Sequence, residues 1–147
     1  MQLLEREDTL DLLSNMVSDV FDGEGRCVLL SGEAGIGKTS LVKHFTNHLN
    51  PEIEILWGAC DALFTPRPLG PLYDIAYQLK SDLLSKLENE EKRVSIFSAF
   101  LDDLSRTSAL KVIVIEDIHW ADESTLDLIK FLSRRIMQLK LTGLTAI

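Results

Sequence analysis

With 147 residues, 46% of them hydrophobic, the chain has enough apolar material to bury the core of about one soluble domain. Fifteen Lys and Arg against 23 Asp and Glu leave a formal net charge of −8, which repels polyanions and argues against nucleic acid or anionic membrane as a direct partner of this segment. No apolar run reaches the length of a membrane span, the amino terminus has neither the basic flank nor the apolar stretch of an export signal, and Cys27 and Cys60 lack metal-ligand spacing. The expectation is a reducing, cytoplasmic setting with both thiols free and buried.

From the amino terminus, Leu3, Leu4, Leu10, Leu12, Leu13, Met16, Val17 and Val20 fall near helical spacing until Gly23 and Gly25 interrupt it. Residues 1–25 are therefore expected to form an amphipathic helix and the loop that leads into the core. Arg26 to Leu30 is a short, nearly continuous apolar run, the pattern of a parallel strand covered on both faces. After the glycine-rich stretch Gly32 to Gly37, the residues Leu41, Val42, Phe45 and Leu49 share one helical face. Pro51 ends that helix, and Ile53 to Cys60 reads as a second strand. Three prolines and a glycine make Phe64 to Pro71 a stiff, irregular loop.

From Leu72 a helical period returns through Ile75, Ala76, Leu79, Leu83 and Leu87. The charged stretch Glu88 to Arg93 reads as a solvated connection or as the extension of a helix, and Val94, Phe97, Phe100, Leu101 and Leu104 mark one helix more. Lys111 to Ile115 is a third buried strand, unbroken by polar residues until Glu116 and Asp117. Asp122 or Ser124 can then cap a helix whose inner face is Leu128, Ile129, Leu132, Ile136 and Leu139. Strands alternating with helices predict an α/β fold with a mostly parallel sheet.

The run Gly32-Glu33-Ala34-Gly35-Ile36-Gly37-Lys38-Thr39 has two glycines separated by four residues and followed by Lys and Thr, set between a strand and a helix. That order suits a phosphate cradle. Glycines let successive N–H groups turn inward, and side chains there would obstruct a phosphate. The helix that begins near Gly37 adds its free N–H groups and positive dipole end. On this reading Gly32 to Ser40 contact ATP, Lys38 bridges the outer phosphates and takes part in catalysis, and the Thr39 hydroxyl ligates Mg2+. Glu116 and Asp117, at the carboxyl end of a buried strand, stand where ligands bind in open α/β sheets. Glu116 is assigned to the metal and Asp117 to the attacking water, with an exchange of the two roles left open.

Ile115-Glu116-Asp117-Ile118-His119-Trp120-Ala121-Asp122, together with the glycine-rich run, resembles the AAA-type, origin-recognition-like P-loop ATPase domain of the signal-transduction (STAND-like) class. Such domains occur in large LuxR-type transcriptional regulators and fused to adenylyl cyclases or kinases. Gly58-Ala59-Cys60-Asp61 and Phe64 to Pro71 are similar to the segment that follows the second strand in that family. Leu4-Glu5-Arg6-Glu7 resembles its Gly-Arg-Glu element near the nucleotide base, with Glu5 in place of the glycine. The resemblance extends to about Leu139 and implies a P-loop NTPase-type three-layer sandwich with its nucleotide-binding core over residues 26–139, as a single partial module, its amino-terminal half, in which residues 140–147 supply an incomplete fourth strand between the P-loop strand and the acid-bearing strand. It also implies ATP as ligand, slow hydrolysis as a conformational switch, and association with other domains of a longer signalling protein or with a second copy.

Other candidates carry less. His44 and His48 stand four apart but lack the glutamate of a zinc-peptidase motif, and read as solvated helix histidines. His119 and Trp120 suit either nucleotide contact or a packed loop anchor. Arg134 and Arg135 suit the carboxyl end of a helix better than an arginine finger. No Asn-Lys-x-Asp guanine signature and no arginine-rich lid appears, which demotes a GTPase or a small-molecule kinase. A non-catalytic interaction fragment that keeps the phosphate cradle remains the alternative to an ATPase.

Overall fold

The computed structural model describes residues 2–21, 26–30, 37–60, 68–106, 109–135 and 141–146. Four strands, β1 (Arg26–Leu30), β2 (Glu54–Ala59), β3 (Lys111–Glu116) and β4 (Leu141–Ala146), form one sheet in the order β1-β4-β3-β2. Every neighbouring pair is parallel. Parallel strands require crossovers, and these are helical. After α1 (Gln2–Phe21), the helix α2 (Lys38–Asn47) leads from β1 to the far edge strand β2. Three helices, α3 (Gly70–Leu79), α4 (Leu83–Glu88) and α5 (Arg93–Ser105), connect β2 to β3, and α6 (Glu123–Arg135) leads back to β4.

Strand alternation divides the core in two. Val112 and Val114 of β3 join Leu13 and Val17 of α1 with Val42 and Phe45 of α2 on one face. Ile113 and Ile115 join Ile75, Phe97, Phe100 and Leu128 on the other. Helices therefore cover both faces, and the apolar runs read as continuous because neither face of β3 meets water. Each fully buried large side chain, such as Phe100 or Leu128, contributes roughly 1.5–3 kcal/mol of transfer free energy. The three-layer α/β sandwich expected from the sequence is the fold observed.

The outer edge of β2 is closed by side chains of α3. The Trp57 N–H donates to Gln78 Oε1 at 3.1 Å, the Gln78 amide nitrogen donates to the Trp57 carbonyl at 2.6 Å, and the Ala59 N–H donates to Asp74 Oδ2 at 3.1 Å. Edge-strand groups that would otherwise stand open to another strand are thus paired within the chain.

Three details differ from the sequence reading. The single helical period from Leu72 to Leu87 divides into α3 and α4, because Lys80 takes a left-handed conformation at φ 51° and ends α3, its N–H donating to the Ala76 carbonyl. Gly70 and Pro71 belong to the first turn of α3 and not to the preceding loop; proline is well placed there, where no intrahelical N–H bond is needed. Val94 is 78% exposed, since the buried stripe of α5 is set by Ile96, Phe97, Phe100 and Leu104.

Candidate functional site

The strands run in one direction and end on one edge of the sheet, with Leu30 paired to Ala146 and Ala59 paired to Glu116. Gly37, left-handed at φ 83°, precedes α2. Only glycine adopts that conformation without cost, and a β-carbon there would meet nothing within 4 Å, so it is the backbone angle that calls for glycine. The first intrahelical bond runs from the Leu41 N–H to the Gly37 carbonyl at 2.9 Å. Lys38, Thr39 and Ser40 therefore open the helix with N–H groups that have no acceptor within it, the usual state of a helix amino terminus. Thr39 and Ser40 are exposed.

Glu116 is the last residue of β3 and alternates with Val112 and Val114, so it belongs to the face of the sheet that α2 covers. Its side chain is half-buried. Oε2 accepts the indole N–H of Trp57 at 2.8 Å, and Oε1 is buried with no hydrogen-bond partner among the described residues. Asp117 has left the strand. It is left-handed at φ 56° and exposed, and its carbonyl accepts the Trp120 N–H at 2.9 Å at the start of a single 3₁₀ turn over Ile118–Trp120. Aspartate tolerates this conformation better than most residues. The two neighbouring carboxylates thus have different surroundings, one fixed against the sheet and one open to solvent.

The segment ends on Asp122, which stands just before α6. Its Oδ1 accepts the Thr125 hydroxyl, and its Oδ2 accepts the backbone N–H of Leu69 at 3.3 Å. Asp122, one of the two expected caps, thereby holds the left-handed Leu69 at the start of α3. Glu116 through Asp122 is pinned at both ends, to β2 by Trp57 and to α3 by Leu69.

Of the residues singled out in the sequence, Gly32, Glu33, Ala34, Gly35 and Ile36 lie outside the described residues. Gly37, Lys38, Thr39 and Ser40 form the start of α2, and Glu116 and Asp117 stand at the end of β3. Among the described residues no group of three or more His, Cys, Asp or Glu side chains gathers to hold a metal. His44 and His48 stack with ring centroids 4.2 Å apart, His48 Nδ1 lies 2.7 Å from the His44 carbonyl oxygen, and both are exposed. Arg135 donates to the Phe131 carbonyl at 3.3 Å and lies over the Phe131 ring, so it serves the end of its own helix. Cys60 is buried, and Trp120 is 50% exposed beside His119. Among the described residues no helix is long and apolar enough to cross a membrane.

Sequence reasoning missed Trp57, Asp74 and Gln78. The signal for Trp57 was an indole within a mostly apolar strand, since a buried N–H there needs an acceptor. Nothing local names that acceptor, 59 residues away.

Comparison with known proteins agrees with this architecture. The AAA ATPase domain family matches residues 2–144. A chain in the structure of Drosophila ORC bound to DNA superposes with a TM-score of 0.57 at 19% identity, over 97% of this chain and 37% of that one. At that identity the likeness speaks for the fold alone, and this chain spans little more than a third of the other. No curated protein sequence matches. With the family's match running over residues 2–144 and a parallel sheet ordered β1-β4-β3-β2 beneath it, the chain belongs to the AAA ATPase domain family.

Proposed function

We propose that the chain binds ATP together with Mg2+ at the carboxyl edge of the sheet. One observation carries this reading: Glu116 holds a buried carboxylate oxygen, without a partner among the described residues, on the face of the sheet covered by α2, whose first turn is Lys38, Thr39 and Ser40 behind the left-handed Gly37. An orphaned anionic oxygen is costly in a folded protein and suits a place awaiting a cation. One carboxylate and one hydroxyl, completed by phosphate and water oxygens, is a donor set that fits magnesium, which keeps much of its hydration and needs no cage of protein ligands.

In this reading Gly32, Glu33, Ala34, Gly35, Ile36 and Gly37 supply backbone N–H groups to the phosphates, joined by those of Lys38, Thr39 and Ser40. The Lys38 ammonium bridges the outer phosphates. Thr39 and Glu116 hold the metal, which when bound neutralises charge on the terminal phosphates. Asp117, exposed and turned away from the strand, orients the attacking water. Hydrolysis is slow and resets a conformational switch, read out by other domains of a longer signalling protein or by a second copy of the chain.

Equilibrium titration with a fluorescent ATP analogue, with and without Mg2+, tests the reading. Lys38→Ala should weaken binding about ten- to a hundredfold, as expected for the loss of a charge-assisted phosphate contact. Equal affinity of the folded variant and the parent overturns it.

A further inference from the structure

Trp57, in register with Val114, and Glu116, in register with Ala59, are diagonal neighbours across the β2–β3 pair, their side chains joined by the 2.8 Å hydrogen bond from the indole N–H to Oε2. Burial does not force this pairing. Both residues are half-buried, so water is within reach of each, and a glutamate with several rotatable bonds could turn outward to solvate both oxygens. Oε1 nevertheless stays buried and without a partner. The main chain that carries the donor is anchored, because the backbone N–H of Trp57 donates to Gln78 Oε1 at 3.1 Å and its backbone carbonyl accepts from Gln78 Nε2 at 2.6 Å. A line of contacts thus runs from α3 through β2 to the carboxylate, and it pairs one oxygen while the other has no partner among the described residues.

We infer that Trp57 is a positioning residue for the metal: it holds Glu116 so that only Oε1 is offered, which enforces one-oxygen ligation and favours Mg2+ over Ca2+. Calcium accepts bidentate carboxylates and flexible geometry, whereas magnesium requires a near-octahedral arrangement that single-oxygen ligation serves. Partners that orient a metal ligand are commonly worth ten- to a hundredfold in metal affinity. The inference rests on the proposed role of Glu116 as a metal ligand.

Mg2+ and Ca2+ are titrated separately into the protein with a fluorescent ATP analogue, for the parent, Trp57→Phe, Trp57→His, Glu116→Gln and the double variant Trp57→Phe/Glu116→Gln. Trp57→Phe keeps an aromatic ring but removes the N–H. It should raise the Mg2+ concentration at half-saturation about tenfold, with a smaller effect on Ca2+, so that the preference for Mg2+ falls. Trp57→His retains a ring donor and should restore part of that preference, and it carries the test if the phenylalanine variant does not fold. On the Glu116→Gln background Trp57→Phe should add nothing, because the indole acts through the carboxylate. A Trp57→Phe protein that is less stable but keeps the parental Mg2+ and Ca2+ requirements overturns the inference while leaving the role of Glu116 standing, provided Glu116→Gln is impaired. A Glu116→Gln protein with the parental metal requirement overturns the role of Glu116, and this inference with it.

Discussion

Gly58 lies so close to Pro71 that a β-carbon on it would stand 2.4 Å from the proline carbonyl oxygen and 2.9 Å from its Cα. The contact is backbone against backbone, so no side-chain rotation relieves it. It seats the first turn of α3 on β2 and thereby brings Asp74 and Gln78 to the strand edge. Gly58→Ala should therefore destabilise the protein by about 1–3 kcal/mol, the range for overpacking. Urea unfolding followed by circular dichroism measures it, and an unchanged midpoint contradicts the packing described.

The Asp122 carboxylate joins the acidic segment to α3 by accepting the Leu69 N–H and the Thr125 hydroxyl. Asp122→Ala leaves both donors without that acceptor and should cost about 1–3 kcal/mol. Hydrogen exchange at the Leu69 amide should quicken by more than global stability alone explains. Asp122→Asn keeps one acceptor oxygen and should lose less.

On the proposed reading, Glu116 sets stability against function. Its Oε1 is a buried acceptor with no partner among the described residues. Glu116→Gln removes the charge while keeping an oxygen for the Trp57 indole. It should leave the metal-free protein as stable as the parent or raise its stability by up to about 1 kcal/mol. The same variant should lose the stabilisation that Mg2+ and ATP together give the parent in thermal unfolding, where ligand binding raises the melting temperature by mass action. A clear loss of stability without metal contradicts this account of the carboxylate.

Much of the fold was legible because a strand covered on both faces reads as an unbroken apolar run, as β3 does, buried from Lys111 to Ile115. Arg26 to Leu30 and Lys111 to Ile115 announce themselves as continuous apolar runs, and the glycine-rich stretch between strand and helix places the start of α2. The break at Lys80 was hidden, since a lysine in a left-handed turn has no local signature, and the apolar period carries straight across it. Val94 misled because a first-turn valine matches a helical spacing without belonging to the stripe that Ile96 and Phe100 establish. At the site, the acids and the helix start could be read from the sequence. The relations that organise them could not. Trp57 to Glu116, Gln78 to Trp57 and Asp122 to Leu69 join residues 59, 21 and 53 positions apart, and such contacts are fixed by tertiary packing.

The most direct test is an experimental structure of the protein with Mg2+ and a non-hydrolysable ATP analogue. The account predicts phosphates against the backbone of Gly37 to Ser40, and a metal bound by the Thr39 hydroxyl and by Glu116 through Oε1 while Oε2 stays on the Trp57 indole. A nucleotide seated elsewhere, or a metal with Glu116 out of reach, would contradict it.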